Sequence, residues 1–476
     1  ILAIAVHCGV PLPTVVAWSG ALAGMQRRFK IRDSFSGACT TSTGLAEGCA
    51  LSCFGMLLLD DVLHRYVHAM NPSVRVLSFV GNWDFLTFDT QASLVQLDLL
   101  LDFARLADLT VDRKNTFGWS TDAATRGLFR RHAVPVKHHA RDLGAHVAFT
   151  RQRTNRTVTD RLADLEPLWE QLRHSKASFK SKIRALRTVA WPRGLFGVAS
   201  APVGRAVWLR CRRSATKALS FNKPGVNPAV LLGVVESSVD PEFVALVQTV
   251  ADTRQHCSRE FWTSELFPAA IGSLPCPPSS PTMVLLERLQ TVGLSVRADG
   301  TWVDEIGCFQ PWQIGHAELY HGLQWAWQKH VAAQVAHRSD FDGLARVDAL
   351  TTRVALSSLP VDQQALFRLG LSGGLFTQNA HSHWNGASDA CRWCGQTDSL
   401  HHRYYICPQF GDLRANLAPD VIRLRDSLPP VLALRGWAVH PSTHLQWCRL
   451  LDSLSRAVPQ LGCPLAFDTD GWNHVF

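Results

Sequence analysis

Apolar residues return at helical spacing along much of the chain. Leu51, Phe54, Leu58, Val62, Tyr66 and Met70 recur every three or four positions and predict one helix packed on a sheet. Residues 15–29 read as an earlier helix and 37–42 as a turn. Residues 74–79 and 83–88 are rich in β-branched and aromatic side chains, and Gly81-Asn82 between them suits a two-residue hairpin turn with φ > 0. Residues 91–106 resume helical period behind a cap at Asp89 or Thr90, and 109–111 and 117–119 read as short strands. Pro167 opens a predicted helix to Ala190 with Leu172, Phe179, Ile183 and Leu186 on one side. Beside them Arg173, Lys176, Lys180, Arg184 and Arg187 follow at steps of three or four, a basic stripe next to an apolar one. Residues 268–281, rich in Pro, Gly and Ser, read as a linker. Residues 296–303 then form a predicted hairpin turning at Asp299-Gly300. Residues 316–338 form a helix with Leu319, Leu323, Trp327, Val331 and Val335 every four positions. No internal repeat is present.

Composition narrows the class. The 476 residues are 46% apolar and 18% charged, enough for two or three packed cores and contrary to wholesale disorder. Thirteen cysteines in a chain of this size fit a reducing compartment better than a disulfide framework. The first residue is Ile, and residues 1–6 are too short an apolar run for a signal sequence or a membrane span, so the N-terminus is expected to be a truncation. The net charge of +9 is concentrated: residues 126–217 hold 21 Lys and Arg against 5 Asp and Glu, and the remainder holds 27 against 34. One basic segment inside a slightly acidic protein is the footprint of a surface that tracks phosphates.

Four cysteine and histidine positions carry metal-ligand spacing. Cys391-Arg-Trp-Cys394 brings two thiolates round one ion, and His402 and Cys407 supply the other pair of a tetrahedral Cys₃His set suited to Zn²⁺. His402 fits that spacing better than its neighbour His401. Arg392, Trp393, Arg403 and Tyr404 sit where they can stack on bases or pair with phosphates.

Residues 42–52, Ser-Thr-Gly-Leu-Ala-Glu-Gly-Cys-Ala-Leu-Ser, and 78–83, Ser-Phe-Val-Gly-Asn-Trp, resemble two successive motifs of reverse transcriptases: the template-and-nucleotide-positioning segment and the catalytic turn. The family carries two aspartates where Gly81 and Asn82 stand. Asp112-Arg113-Lys114-Asn115-Thr116 resembles the next motif, with Lys114 one position early, and Arg141-Asp142-Leu143-Gly144 resembles the Leu-Gly turn of the primer grip. The spacing at 391–407 resembles the zinc knuckle downstream of the polymerase in non-LTR retrotransposon proteins. Residues 467–471, Phe-Asp-Thr-Asp-Gly, resemble the first strand of a type 1 RNase H domain, in which Asp470 would be a metal ligand.

The resemblance implies an α+β fold: a reverse transcriptase palm over 1–150 without its first catalytic strand, a basic helical thumb over 151–265 and a linker at 266–282. A mainly helical connector over 283–385, a zinc knuckle over 386–412, a further helical connector over 413–460 and a truncated RNase H strand over 461–476 would follow. It implies Gly44, Glu47, Gly48 and Lys114 as nucleotide and template contacts, and Arg173, Lys176, Lys180, Arg184 and Arg187 as contacts of a thumb helix with the duplex. The family polymerises dNTPs on RNA by two-metal phosphoryl transfer with Mg²⁺. Gly81 and Asn82 supply no anionic ligand, so this chain is expected not to extend primers and not to bind Mg²⁺ there. Asp84, two residues on, offers at most a relocated site. The implied partners are an RNA template and a DNA primer or target, with no membrane, and the implied location is intracellular and nuclear. Two other readings stay open: a domesticated zinc-containing nucleic-acid-binding protein, and a zinc-holding interaction protein without affinity for primer-template.

Overall fold

A computed structural model describes residues 1–439 apart from 29, 32, 41–49, 80, 143–144, 150–154, 222, 237–238, 260–270, 272–279, 305–307, 312, 376, 387, 416–418 and 425. The fold is mixed α+β, with helices dominating and a few small antiparallel sheets. The chain divides after His138 into two compact units, so residues from His139 onward belong to the second.

The first unit begins with helices α1 (Leu2–His7) and α2 (Leu12–Ala23), which ends at Gly24, short of the predicted 29. Helix α3 (Ala50–Met70) covers the predicted stretch: Leu58 is buried and Val62 and Tyr66 pack against the core, Leu59, Leu63 and Val67 complete the buried face, and Leu51, Phe54 and Met70 at its two ends are exposed. Strands β1 (Arg75–Phe79) and β2 (Asn82–Leu86) pair antiparallel, and α3 and α4 (Thr90–Leu106) pack on them around Leu63, Val67, Val74 and Phe103. Asp60 in α3 accepts the indole N–H of Trp83 at 2.7 Å, tying the helix to the hairpin. Phe79 pairs with Asn82, so Asn82 opens β2 instead of sitting in the turn as predicted, and Gly81 takes the left-handed φ of +85°. Asp89 caps α4, accepting from the N–H groups of Gln91 and Ala92. The strands expected at 109–111 and 117–119 do not form. Asp112 organises a turn by accepting from the Lys114 N–H and the Asn115 amide, and Gly118 contributes only an isolated bridge to Val136. Helix α5 (Ala123–Arg131), capped by Asp122, closes the unit.

The second unit opens with a hairpin of β3 (His139–Asp142) and β4 (Ala145–Ala148). Helices α6 (Arg156–Ala163), α7 (Glu166–His174) and α8 (Phe179–Ala185) follow, and α8 runs on through a π-helical turn, Leu186–Ala190. The single helix predicted from Pro167 to Ala190 is therefore two. The Ser175 hydroxyl accepts from the Ala177 N–H and the Ser178 hydroxyl caps Ser181, so the two serines give the backbone local partners that compete with helical ones. Helix α9 (Arg205–Ala218) packs beside α7, and α10 (Pro241–Arg259) is capped by buried Asp240, which also takes two hydrogen bonds from Arg212. Most of the predicted linker lies outside the described residues, and its last residue, Pro281, is the first of α11 (Pro281–Thr291).

A three-stranded sheet of β5 (Ser295–Val296), β6 (Trp302–Val303) and β7 (Cys308–Phe309) contains the predicted hairpin, with Gly300 at φ +81° in its turn. Helix α12 (His316–Gln334) bears out its four-residue stripe: Leu319, Leu323, Trp327 and Val331 are buried, as is Val335 at its C-cap. Each such side chain is worth about 1.5–3 kcal/mol when removed from water. Helices α13 (Ala349–Ser358), α14 (Val361–Leu371) and α15 (Gln378–Asn385) lead into the cysteine-rich segment. No helix among the described residues is long and apolar enough to cross a membrane.

Candidate metal centre and basic helices

The cysteine segment folds around its own ligands. Cys391 lies in a tight turn: the Gly395 N–H donates to the Cys391 carbonyl at 2.8 Å, the Cys391 N–H donates to Gln396, and Gly395 adopts φ +76°. The other two ligands bracket a π-helical turn, His402–Ile406, in which the Cys407 N–H donates to the His402 carbonyl at 2.7 Å. This wider i to i+5 turn brings Cys407 back over His402.

The ligand atoms of Cys391, Cys394, His402 and Cys407 all lie within 4.8 Å of one another. Cys391 Sγ and Cys407 Sγ are 3.8 Å apart, and Cys394 Sγ and His402 Nε2 are 3.2 Å apart. A tetrahedral ion with Zn–S bonds of about 2.3 Å sets its sulfurs about 3.8 Å apart, so the thiolate edge already has the length zinc requires. Cys391, His402 and Cys407 are buried and Cys394 is half-buried. The set can hold a metal ion, and its donors suit Zn²⁺. No other grouping of three or more His, Cys, Asp or Glu able to hold a metal occurs among the described residues.

The local field prepares the thiols unequally. Burial opposes ionisation of Cys391, but hydrogen bonds from the backbone N–H groups of Trp393 and Cys394 and from the His402 and Cys394 side chains outweigh it and bring the thiol down to about 6. Burial pushes the Cys407 thiol up, and the neighbouring sulfurs reinforce that shift. His401 faces elsewhere, 3.3 Å from Asp426 and against the Tyr405 ring.

A buttress that sequence reasoning missed holds the segment in place. Buried Asp398 accepts from Arg403 Nε and Nη2 at 2.7 and 2.6 Å and from the Gln378 N–H at 2.6 Å, joining the stretch between the ligands to the start of α15. Nothing in its spacing marks Asp398 as different from a surface aspartate. Arg403 is thereby committed to Asp398 and Tyr404 is half-buried, which leaves Arg392 and Trp393 as the exposed part of the predicted contact set. The Arg392 guanidinium lies 4.2 Å from the Trp393 ring centre, and Phe410 meets that ring edge-on at 5.0 Å.

The five predicted thumb cations do not share one helix. Arg173 lies on α7, Lys176 between the helices, Lys180 and Arg184 on α8, and Arg187 in the π-helical turn; all are exposed. A further row on α9, Arg210, Arg213 and Lys217, was missed, although its spacing of three and four is the same signal. In the first unit, Gly81 and Asn82 occupy the hairpin end, and the Asn82 side-chain amide donates to the Phe79 carbonyl at 3.4 Å. Lys114 is exposed in the Asp112 turn. Gly44, Glu47, Gly48, Leu143, Gly144 and Asp470 lie outside the described residues, as does the whole 461–476 segment. No protein-family model matches the chain, and no curated protein matches it.

Proposed function

We propose that this chain is reverse transcriptase-like, of non-LTR retrotransposon type, has lost polymerase chemistry and retains binding to an RNA template paired with a DNA primer or target. The observation that carries the binding half of this reading is the Cys₃His set, whose spacing already suits zinc and which presents Arg392 and Trp393 outward. Cys391, Cys394, His402 and Cys407 would hold Zn²⁺ in a closed, structural site, since four protein ligands leave no position for a substrate. Zinc bound there supplies folding energy and fixes the turn that bears Trp393. The indole face can then stack on an unpaired base while Arg392 meets a phosphate.

The polymerase half rests on motif order, which the helix–hairpin–helix sequence of α3, β1, β2 and α4 supports. Gly81 serves the hairpin turn and Asn82 pairs in the strand, and neither carries a charge for a metal ion. The resemblance also makes the nucleus the expected location.

The reading is tested with the purified chain and an RNA–DNA primer-template across a salt series, with and without a zinc chelator. Tight binding whose logarithm falls steeply with log salt, weakened by the chelator, is expected. Templated nucleotide incorporation with Mg²⁺ or Mn²⁺ would refute the loss of chemistry. Absence of binding by a zinc-loaded, folded chain would refute the retained function.

A further inference from the structure

Helices α7 and α9 pack side by side, and between them lies a cleft of about 420 Å³, within the size range of ligand sites. Arg173 reaches it from α7, and Arg213 and Lys217 reach it from α9; Trp169 and Val226 give it an apolar wall. Two carboxylates line it as well, Glu170 and the exposed Glu166, and Glu170 is the one paired with the cations. Its carboxylate stands 3.6 Å from Arg173, 3.3 Å from His174 and 3.8 Å from Lys217. These are loose, exposed pairs of a kind that contribute little to stability. Arg213 is exposed and has no ion-pair partner among the described residues. Arg210, one turn earlier on the exposed side of α9, continues the row.

We infer that this cleft receives a backbone phosphate of the bound nucleic acid, with Arg173, Arg213 and Lys217 as its ligands and Glu170 as the carboxylate the phosphate displaces. The inference rests on the nucleic-acid reading above and gives it a place. Cations from two helices converge on one concave site, whereas Lys180, Arg184 and Arg187 line no part of it. Two guanidinium forks and an ammonium drawn from two helices surround the two non-bridging oxygens of a backbone phosphodiester better than a flat row of charges, and Arg in particular can bind bidentately. The apolar wall leaves room for the adjoining sugar.

The test measures affinity of the full-length chain for a fluorescent RNA–DNA primer-template as a function of salt. The Arg213→Gln/Lys217→Gln double variant is expected to bind several-fold more weakly at low salt, with a slope shallower by about 0.9 for each phosphate no longer neutralised. An equal reduction of charge outside the cleft, Arg156→Gln/Arg193→Gln, should leave the slope nearly unchanged. Glu170→Gln should tighten binding several-fold, a sign that a merely structural glutamate would not produce. Equal weakening by both double variants, no weakening by the cleft pair, or unchanged or weaker binding by Glu170→Gln overturns the inference while wild-type binding upholds the broader reading. A wild-type chain that binds no duplex overturns both.

Discussion

His401 and His402 are neighbours in sequence and opposites in circumstance. His402 is 4% exposed with Nε2 beside Cys394 Sγ, whereas His401 lies toward solvent against Asp426 and Tyr405. Coordination needs one imidazole nitrogen converging with three sulfurs, so only the buried residue qualifies. His402→Ala and Cys391→Ser should each abolish stoichiometric zinc measured by metal analysis after dialysis, and His401→Ala should retain it. Zinc retained by His402→Ala but lost from His401→Ala would reverse the assignment. Asp398 adds a lesson at the same scale. Its carboxylate, although buried, is held below the usual range because hydrogen bonds from Arg403 and the Gln378 N–H outweigh burial. The charge pair orders the loop without touching the metal position.

At the scale of elements, legibility follows how local the cause is. Helix α12 was readable because four of its core residues recur within one uninterrupted helix and the fifth, Val335, caps it. In α3 the helix and the middle of its stripe were readable, since Leu58 is buried and Val62 and Tyr66 pack against the core, but Leu59, Leu63 and Val67 were not, because Leu57, Leu58 and Leu59 form a continuous apolar run and only tertiary packing buries Leu58 and Leu59 and leaves Leu57 65% exposed. The α7–α8 break was hidden because periodicity counts apolar side chains, while Ser175 and Ser178 act through their hydroxyls on the backbone. The ligand set was legible since Cys-x2-Cys and His-x4-Cys are short-range; Asp398, whose partner Gln378 is 20 residues away, was not.

One tertiary contact lies beyond any pattern. Gly233, in the π-helical turn Leu231–Val235, faces the Trp327 indole so closely that a Cβ would come within 2.6 Å of Nε1. Trp327 is 1% exposed, packed against Phe243 and His330 and under the Arg212 guanidinium, so it cannot move aside freely. Gly233→Ala should therefore destabilise the second unit by about 1–3 kcal/mol through overpacking. Urea unfolding followed by tryptophan fluorescence reads this as a lower midpoint, and a midpoint equal to wild type would show that the core absorbs the methyl.

At the scale of the whole molecule, the division after His138 separates two kinds of content. The first unit holds a helix, a hairpin and a second helix around a small core of Leu59, Leu63, Val67 and Phe103. The second holds the large core that runs from Val158 to Val439, all four metal ligands and the cations of α7, α8 and α9. Two units with separate cores need not unfold together. Because a structural zinc site contributes its binding free energy to folding, its removal should loosen the elements tied to it and spare the rest. Those elements are the ligand turns, α15 through Asp398, and the 430–435 helix, whose Ala433 carbonyl accepts from the Tyr405 hydroxyl at 2.8 Å. Hydrogen exchange of the full chain with and without a chelator should accordingly show diminished protection across 378–385, 391–407 and 430–435. Protection across 50–70 and 90–106, the two long helices of the first unit, should not change. Uniform loss over both units would mean that they fold as one cooperative body. Unchanged protection at the ligand turns would mean that the four side chains converge without a metal ion and that the buttress alone maintains them.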